Sequence, residues 1–134
     1  MRSECFEIPP RFRGPPRSGN GGYVSGLIAQ RLQGTVAVRL RSPPPLDTPL
    51  RLESTDEEAR LFHGDTLIGE AKLAELALRP PPAPSHEAAQ VATRSFPGFE
   101  THNFPGCFVC GPERAPSDGL RIFPGPLEGA STFA

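Results

Sequence analysis

The sequence predicts an α+β fold, an antiparallel sheet with a single helix covering one face. Prolines and glycines, 18 and 14 of 134 residues, make up almost a quarter of the chain, yet residues 17–42 and 50–79 contain no proline. Regular elements can form in those two windows and mostly cannot between or after them. Inside the windows apolar residues recur first with a helical period and then, in four successive stretches, at every second position.

Residues 5–8 are a short apolar run stopped by Pro9 and Pro10, at most an edge strand. After a Gly/Pro-rich loop, Ser18 or Asn20 can cap a helix that Gly34 ends. Tyr23, Val24, Leu27, Ile28 and Leu32 give this helix one apolar face. Gly22 and Gly26, four apart, leave a bare side that could sit close against a sheet. In the following TVAVRLRS, Val36, Val38 and Leu40 alternate with Ala37, Arg39 and Arg41, a one-sided strand. PPPLDTP makes a stiff turn before LRLES, where Leu50 and Leu52 alternate with Arg51 and Glu53. ARLFHGDTLIGEAKL reads as a hairpin, with strands at 59–62 and 66–73 around a turn at Gly64 and Asp65. RPPPAP at 79–84 is a linker, and the alanines and Glu87 after Ser85 favour a short helix although the third capping-box position is Ala88. From Phe96 onward turns dominate, and residues 120–123 are the only strand expected there. The sequence thus divides into a domain at 1–78, a linker with a short helix at 79–95, and a tail at 96–134 that opens a second domain without completing it.

Charge and composition exclude several functions. The formal net charge is −1, with acidic and basic residues interleaved, so no basic stripe supports nucleic-acid binding. No apolar run is long enough to cross a bilayer, and the first residues lack the apolar core of a signal peptide. Three cysteines, one of them isolated at position 5, do not read as a disulfide framework. A reduced, cytoplasmic protein is the expectation.

The stretch NGGYVSGLIAQRL, then VAVRLRSPPPLDTPLRLE, then ARLFHGDTLIGEAKL resembles the hot-dog fold, in which a sheet wraps one central helix, and within it the acyl-CoA thioesterase branch. CFVCGP followed by GLRIF is similar to the opening of many hot-dog thioesterase-like domains, which implies a tandem protein whose second domain begins near Phe104. The resemblance implies that backbone N–H groups of Gly21, Gly22 and Tyr23 polarise a thioester carbonyl, with Asn20 beside it. Helix starts suit that role through their unsatisfied donors and dipole. The plainer reading is that Asn20 caps the helix while the glycines allow the turn.

Many active members carry a carboxylate about nine residues beyond that polar residue. Here the count reaches Ala29 and its neighbour Gln30, which can orient a water but cannot take its proton. Ser25 is a nucleophile only with a base, and none is evident; with Tyr23 and Leu27 it would line the acyl slot. Two hypotheses follow: a thioesterase-like protein that binds and hydrolyses acyl-CoA or a related thioester, or a non-catalytic acyl-binding or assembly module. Both imply a homodimer or tandem pairing and no cofactor.

Cys107 and Cys110 raise a third. Two thiolates at that spacing can share a zinc ion, with His102 as a further ligand, in a small zinc-stabilised interaction protein. A second Cys pair or histidine does not follow, and Gly111-Pro112 stops the helix that would activate a thiol for redox work. Phe96, Phe99, Phe104, Phe108 and Phe123 read as core or domain-contact residues, and His63 and His86 as turn and first-turn residues without a role.

Overall fold

The structure, a computed structural model, describes residues 1–131 and 133–134. Five strands are present: β1 (Arg2–Phe6), β2 (Val36–Leu40), β3 (Leu50–Ser54), β4 (Glu58–His63) and β5 (Thr66–Leu73). Two α-helices accompany them, α1 (Gly21–Ala29) and α2 (His86–Thr93), with single 3-10 turns at Pro10–Phe12 and Pro97–Phe99. The class is α+β. Chain contacts separate two compact units, Met1–Ala77 and Leu78–Ala134.

In the first unit all strand pairings are antiparallel and the open sheet runs β1-β3-β4-β5-β2. The strand expected at 5–8 lies earlier, at Arg2–Phe6, and occupies an edge. Ile8 instead passes into the core, fully buried. Alternation sorts each strand by face: Leu50, Leu52, Ala59, Leu61, Ile68 and Ala71 point to one side, where they join Ile8, Val24, Ile28 and Leu32 in a single core. The opposite side is charged. There Glu53 of β3 stands opposite Arg60 of β4, which stands opposite Glu70 of β5, which faces Arg39 of β2. A row of alternating sign crossing four strands keeps that face in water, since opposite-charge cross-strand pairs attract and none needs burial.

The β4–β5 turn falls at Gly64 and Asp65, with Gly64 at φ 56°, a left-handed conformation that glycine adopts without a Cβ clash. A bulge opposite Leu61 and Phe62 inserts Ile68 as an extra residue. The Ile68 carbonyl then accepts from both the Arg41 and Ser42 N–H groups, at 2.7 and 3.2 Å.

α1 packs on β2, β4 and β5 through Val24 and Ile28, both fully buried. The expected close approach of its glycines to the sheet is not what occurs: Gly22 and Gly26 are exposed, and a Cβ on Gly26 would meet nothing within 4 Å. The glycine that lets the helix come close is on the sheet. A Cβ on Gly69 of β5 would sit 3.0 Å from both Ile28 Cδ1 and Leu40 Cδ2.

In the second unit α2 is capped by Ser85, whose hydroxyl accepts from Ala88 N–H at 3.1 Å. The helix expected within a linker packs with the residues that follow it. A Cβ on Gly125 would lie 1.7 Å from the Ala92 carbonyl, so only glycine fits beneath α2 there. The strand expected at 120–123 does not form. Leu120 and Ile122 N–H instead donate to Phe108 and Val109 carbonyls at 2.8 and 2.9 Å, and Arg121 sits at φ 53°, which breaks the extended run. Three of the tail aromatics pack on one another: Phe96 stacks on Phe123 with centroids 5.3 Å apart, and Phe99 makes edge contacts with both.

Candidate functional site

Two places gather the residues singled out in the sequence, one in each unit. The first is the start of α1. The loop that leads to it is held rather than loose: Asn20 N–H donates to the Phe12 carbonyl and Gly19 N–H to Pro44, each at 2.8 Å. Gly19 crosses the core so closely that a Cβ would lie 2.9 Å from Val24 Cγ2. Asn20 is extended, at φ −61° and ψ 129°, and its Oδ1 accepts from Tyr23 N–H at 3.1 Å.

That cap redistributes the expected roles. Tyr23 N–H is committed to Asn20, so it does not stand ready for a carbonyl, and the Tyr23 ring stacks on Phe12 at 4.1 Å with the planes 6° apart. Two donors of the first turn remain, and among the described residues Gly21 and Gly22 N–H have no protein acceptor. Gly22 is exposed, and no side chain of its own stands over this opening. Ser25 and Leu27 are half-buried along the helix. Among the described residues Ser25 is hydrogen-bonded to no His, Asp or Glu side chain.

Gln30 is exposed at the other end of α1, as its C-cap. Ten residues of helical rise put it about 15 Å from Asn20 along the axis. Within one chain, therefore, Gln30 and the Asn20 turn do not act on the same atom. α1 carries no acidic residue in its first turn, and the sequence of the whole helix has none.

The second place is the loop 102–122. Cys107 carbonyl accepts from Gly111 N–H at 2.8 Å, closing the loop over the two cysteines. A Cβ on Gly111 would fall 2.4–2.6 Å from Pro105 O, Cys107 N and Cys107 O, so the backbone folds in on itself there. Arg114 stitches the loop from within: its side chain is 7% exposed, Nε donates to the Gly106 carbonyl and NH1 to Asp118, both at 2.9 Å. Nothing local in the sequence singles out Arg114: the i, i+4 spacing to Asp118 is a signal on a helix, and residues 114–118 form turns.

Within this loop three polar side chains form a chain of contacts. Phe104 N–H donates to His102 Nδ1 at 2.9 Å, which assigns the imidazole proton to Nε2. Nε2 lies 3.4 Å from Cys110 Sγ, and the Cys110 thiol points to Cys107 Sγ at 3.7 Å. Burial first, and then the Cys107 sulfur, push the Cys110 thiol up to about 11. Cys107 is buried and Cys110 half-buried.

The arrangement does not suit zinc as it stands. A ligating histidine donates its other N–H to an acceptor, whereas His102 accepts there and turns its N–H toward Cys110. Among the described residues no group of three or more His, Cys, Asp or Glu is placed to hold a metal ion. No helix of the described residues is long and apolar enough to cross a membrane. A groove beside α2, lined by Ser85, Ala88, Val91, Ser95, Leu127 and Glu128 among others, includes none of the candidates. No protein-family model matches the chain, and no curated protein or solved structure matches it either.

Proposed function

We propose that the first unit is a hot-dog-type module that binds an acyl-thioester such as acyl-CoA, its carbonyl accepting from Gly21 and Gly22 N–H. One observation carries the reading: two first-turn donors left over by the Asn20 cap, at a helix start bared by paired glycines. A helix N-terminus holds a partial positive charge of roughly half a unit, which favours the polarised carbonyl oxygen. The antiparallel sheet with a helix on one face supports the hot-dog assignment.

The reading is binding rather than turnover by one chain. α1 has no carboxylate to take a proton from water, and Gln30 sits at its far end. Hydrolysis would draw its base from a second subunit or a tandem domain, which would also wall the acyl slot. Acyl-CoA is a soluble cytoplasmic metabolite, which fits a cytoplasmic protein.

Gly21→Pro tests this without dismantling the helix. Proline at the first helical position removes the N–H but adds a ring whose Cβ lies 3.4 Å from Leu40 Cδ1. Gly21→Ala, which keeps the N–H, is therefore measured beside it and should bind as wild type does. The extended Asn20 backbone is what a residue before proline requires. A thioether analogue of acyl-CoA, which cannot be hydrolysed, is titrated calorimetrically into wild type and variant. Loss of one hydrogen bond predicts about tenfold weaker binding. Folded wild type that shows no binding across short, medium and long chains sinks the proposal.

A further inference from the structure

We propose that Cys107 and Cys110 form a thiol–disulfide exchange site, oxidised by low-molecular-weight disulfides of the glutathione class. The two sulfurs are 3.7 Å apart, in van der Waals contact. A disulfide needs about 2.05 Å, so oxidation must bring the two sulfurs roughly 1.6 Å closer. Both side chains are delivered to the same side by the loop that Gly111 and Arg114 close.

Exposure sets the order of events. Cys110 is reachable from solvent, while Cys107 is 6% exposed. Burial holds the proton on Cys110, so hydroxide takes it, faster as pH rises, and the thiolate then attacks one sulfur of the external disulfide. A mixed disulfide forms on Cys110, and one small thiolate leaves and takes up a proton. Cys107, deprotonated in turn, attacks the Cys110 sulfur, and the bond to the second small thiolate breaks. The protein loses two hydrogens and two electrons, and the external disulfide becomes two thiols. His102 is a positioning residue here. Its Nε2–H, fixed by the Phe104 N–H contact, points at Cys110 Sγ and stabilises the attacking thiolate.

The test uses the full chain carrying Cys5→Ser, because Cys5 is exposed and would react by itself. Reduced protein is incubated with excess oxidised glutathione at mildly alkaline pH, quenched with acid and read by intact mass and peptide mapping. The expected product has lost two hydrogens and links Cys107 to Cys110. Cys107→Ser stops at a glutathione adduct on Cys110, whereas Cys110→Ser stays unmodified. His102→Phe slows adduct formation several-fold, and His102→Gln, which keeps a donor, restores it. The unsubstituted chain, mapped in parallel, guards against a variant that fails to fold.

A chain that remains dithiol under excess oxidant overturns the proposal. So does an adduct that forms on Cys107 as readily as on Cys110. Stoichiometric zinc uptake by the reduced protein that blocks oxidation also overturns it, making the pair metal ligands instead.

Discussion

Gly69→Ala would add one methyl group where α1 comes nearest the sheet. The new Cβ would sit 3.0 Å from Ile28 Cδ1 and from Leu40 Cδ2, and 3.4 Å from the Arg39 carbonyl. Carbon pairs prefer about 3.5–4.0 Å, so the ends of the Ile28 and Leu40 side chains must each give by roughly half an ångström. Ile28 is fully buried, so its shift is passed on to its core neighbours. Overpacking of this kind costs about 1–3 kcal/mol. Restricting the unfolded backbone returns about 0.5–1 kcal/mol, and the net expectation is destabilisation of roughly 0–2.5 kcal/mol, centred on about 1. For a unit of this size that is roughly 4–8 °C of melting temperature per kcal/mol.

Tyr23 supplies the assay. It is the single tyrosine of a chain without tryptophan, and it lies in the first unit, stacked on Phe12. Its near-ultraviolet circular dichroism therefore reports the packing of α1 against Phe12. Ile28→Val removes the offending Cδ1 and by itself costs about 0.5–1.5 kcal/mol. The double variant still meets Leu40 Cδ2 at 3.0 Å, so it recovers only the share due to Ile28, a favourable coupling of more than about 0.5 kcal/mol. Independent sites add within about 0.5 kcal/mol. A neutral or stabilising Gly69→Ala, with an additive double variant, would refute the close approach of helix and strand.

The open side of α1 predicts the opposite sign. Gly26→Ala meets nothing within 4 Å and should raise the same melting curve by about 0.8–1 kcal/mol of helix propensity; a loss would place a neighbour there. Glu4 is held below the usual carboxylate range chiefly by its hydrogen bond to Arg31. Its contribution is present above the unfolded carboxylate value and lost as pH falls through the lower folded one. The pair is partly exposed and screened by solvent, so that contribution is under about 1 kcal/mol. Glu4→Gln should flatten this part of the stability profile in acid, and an unchanged profile would count against the pair. Cys110, raised to about 11, should alkylate more slowly with iodoacetamide than exposed Cys5 at pH 8, accelerating roughly tenfold per pH unit. A rate that levels off near the ordinary thiol value would contradict its burial.

Local pattern along the chain is enough to set the kinds of element in the first unit. The 3.6-residue spacing of Val24 and Ile28 marks α1, and the alternation in VAVRL and LRLES marks β2 and β3. Gly64-Asp65 placed the hairpin turn, and Ser85 the start of α2. These signals are local: they depend on backbone preference and on the period with which side chains return to one face. Which surface each face meets was decided only by pairing segments far apart in the chain. Register turned Glu53, Arg60, Glu70 and Arg39, unremarkable one by one, into an alternating row across the sheet. Packing left Gly26 open and made Gly69 tight, although each glycine has one apolar and one polar neighbour in the chain. At 120–123 the backbone donors found Phe108 and Val109 across a loop rather than a neighbouring strand, and the expected strand gave way. His102 reached Cys110 through the same loop, eight residues away, and a proton fixed by Phe104 N–H set which way its ring nitrogen serves. Periodicity is written in neighbouring residues, but a face acquires its partner only when distant backbone donors and acceptors have been matched.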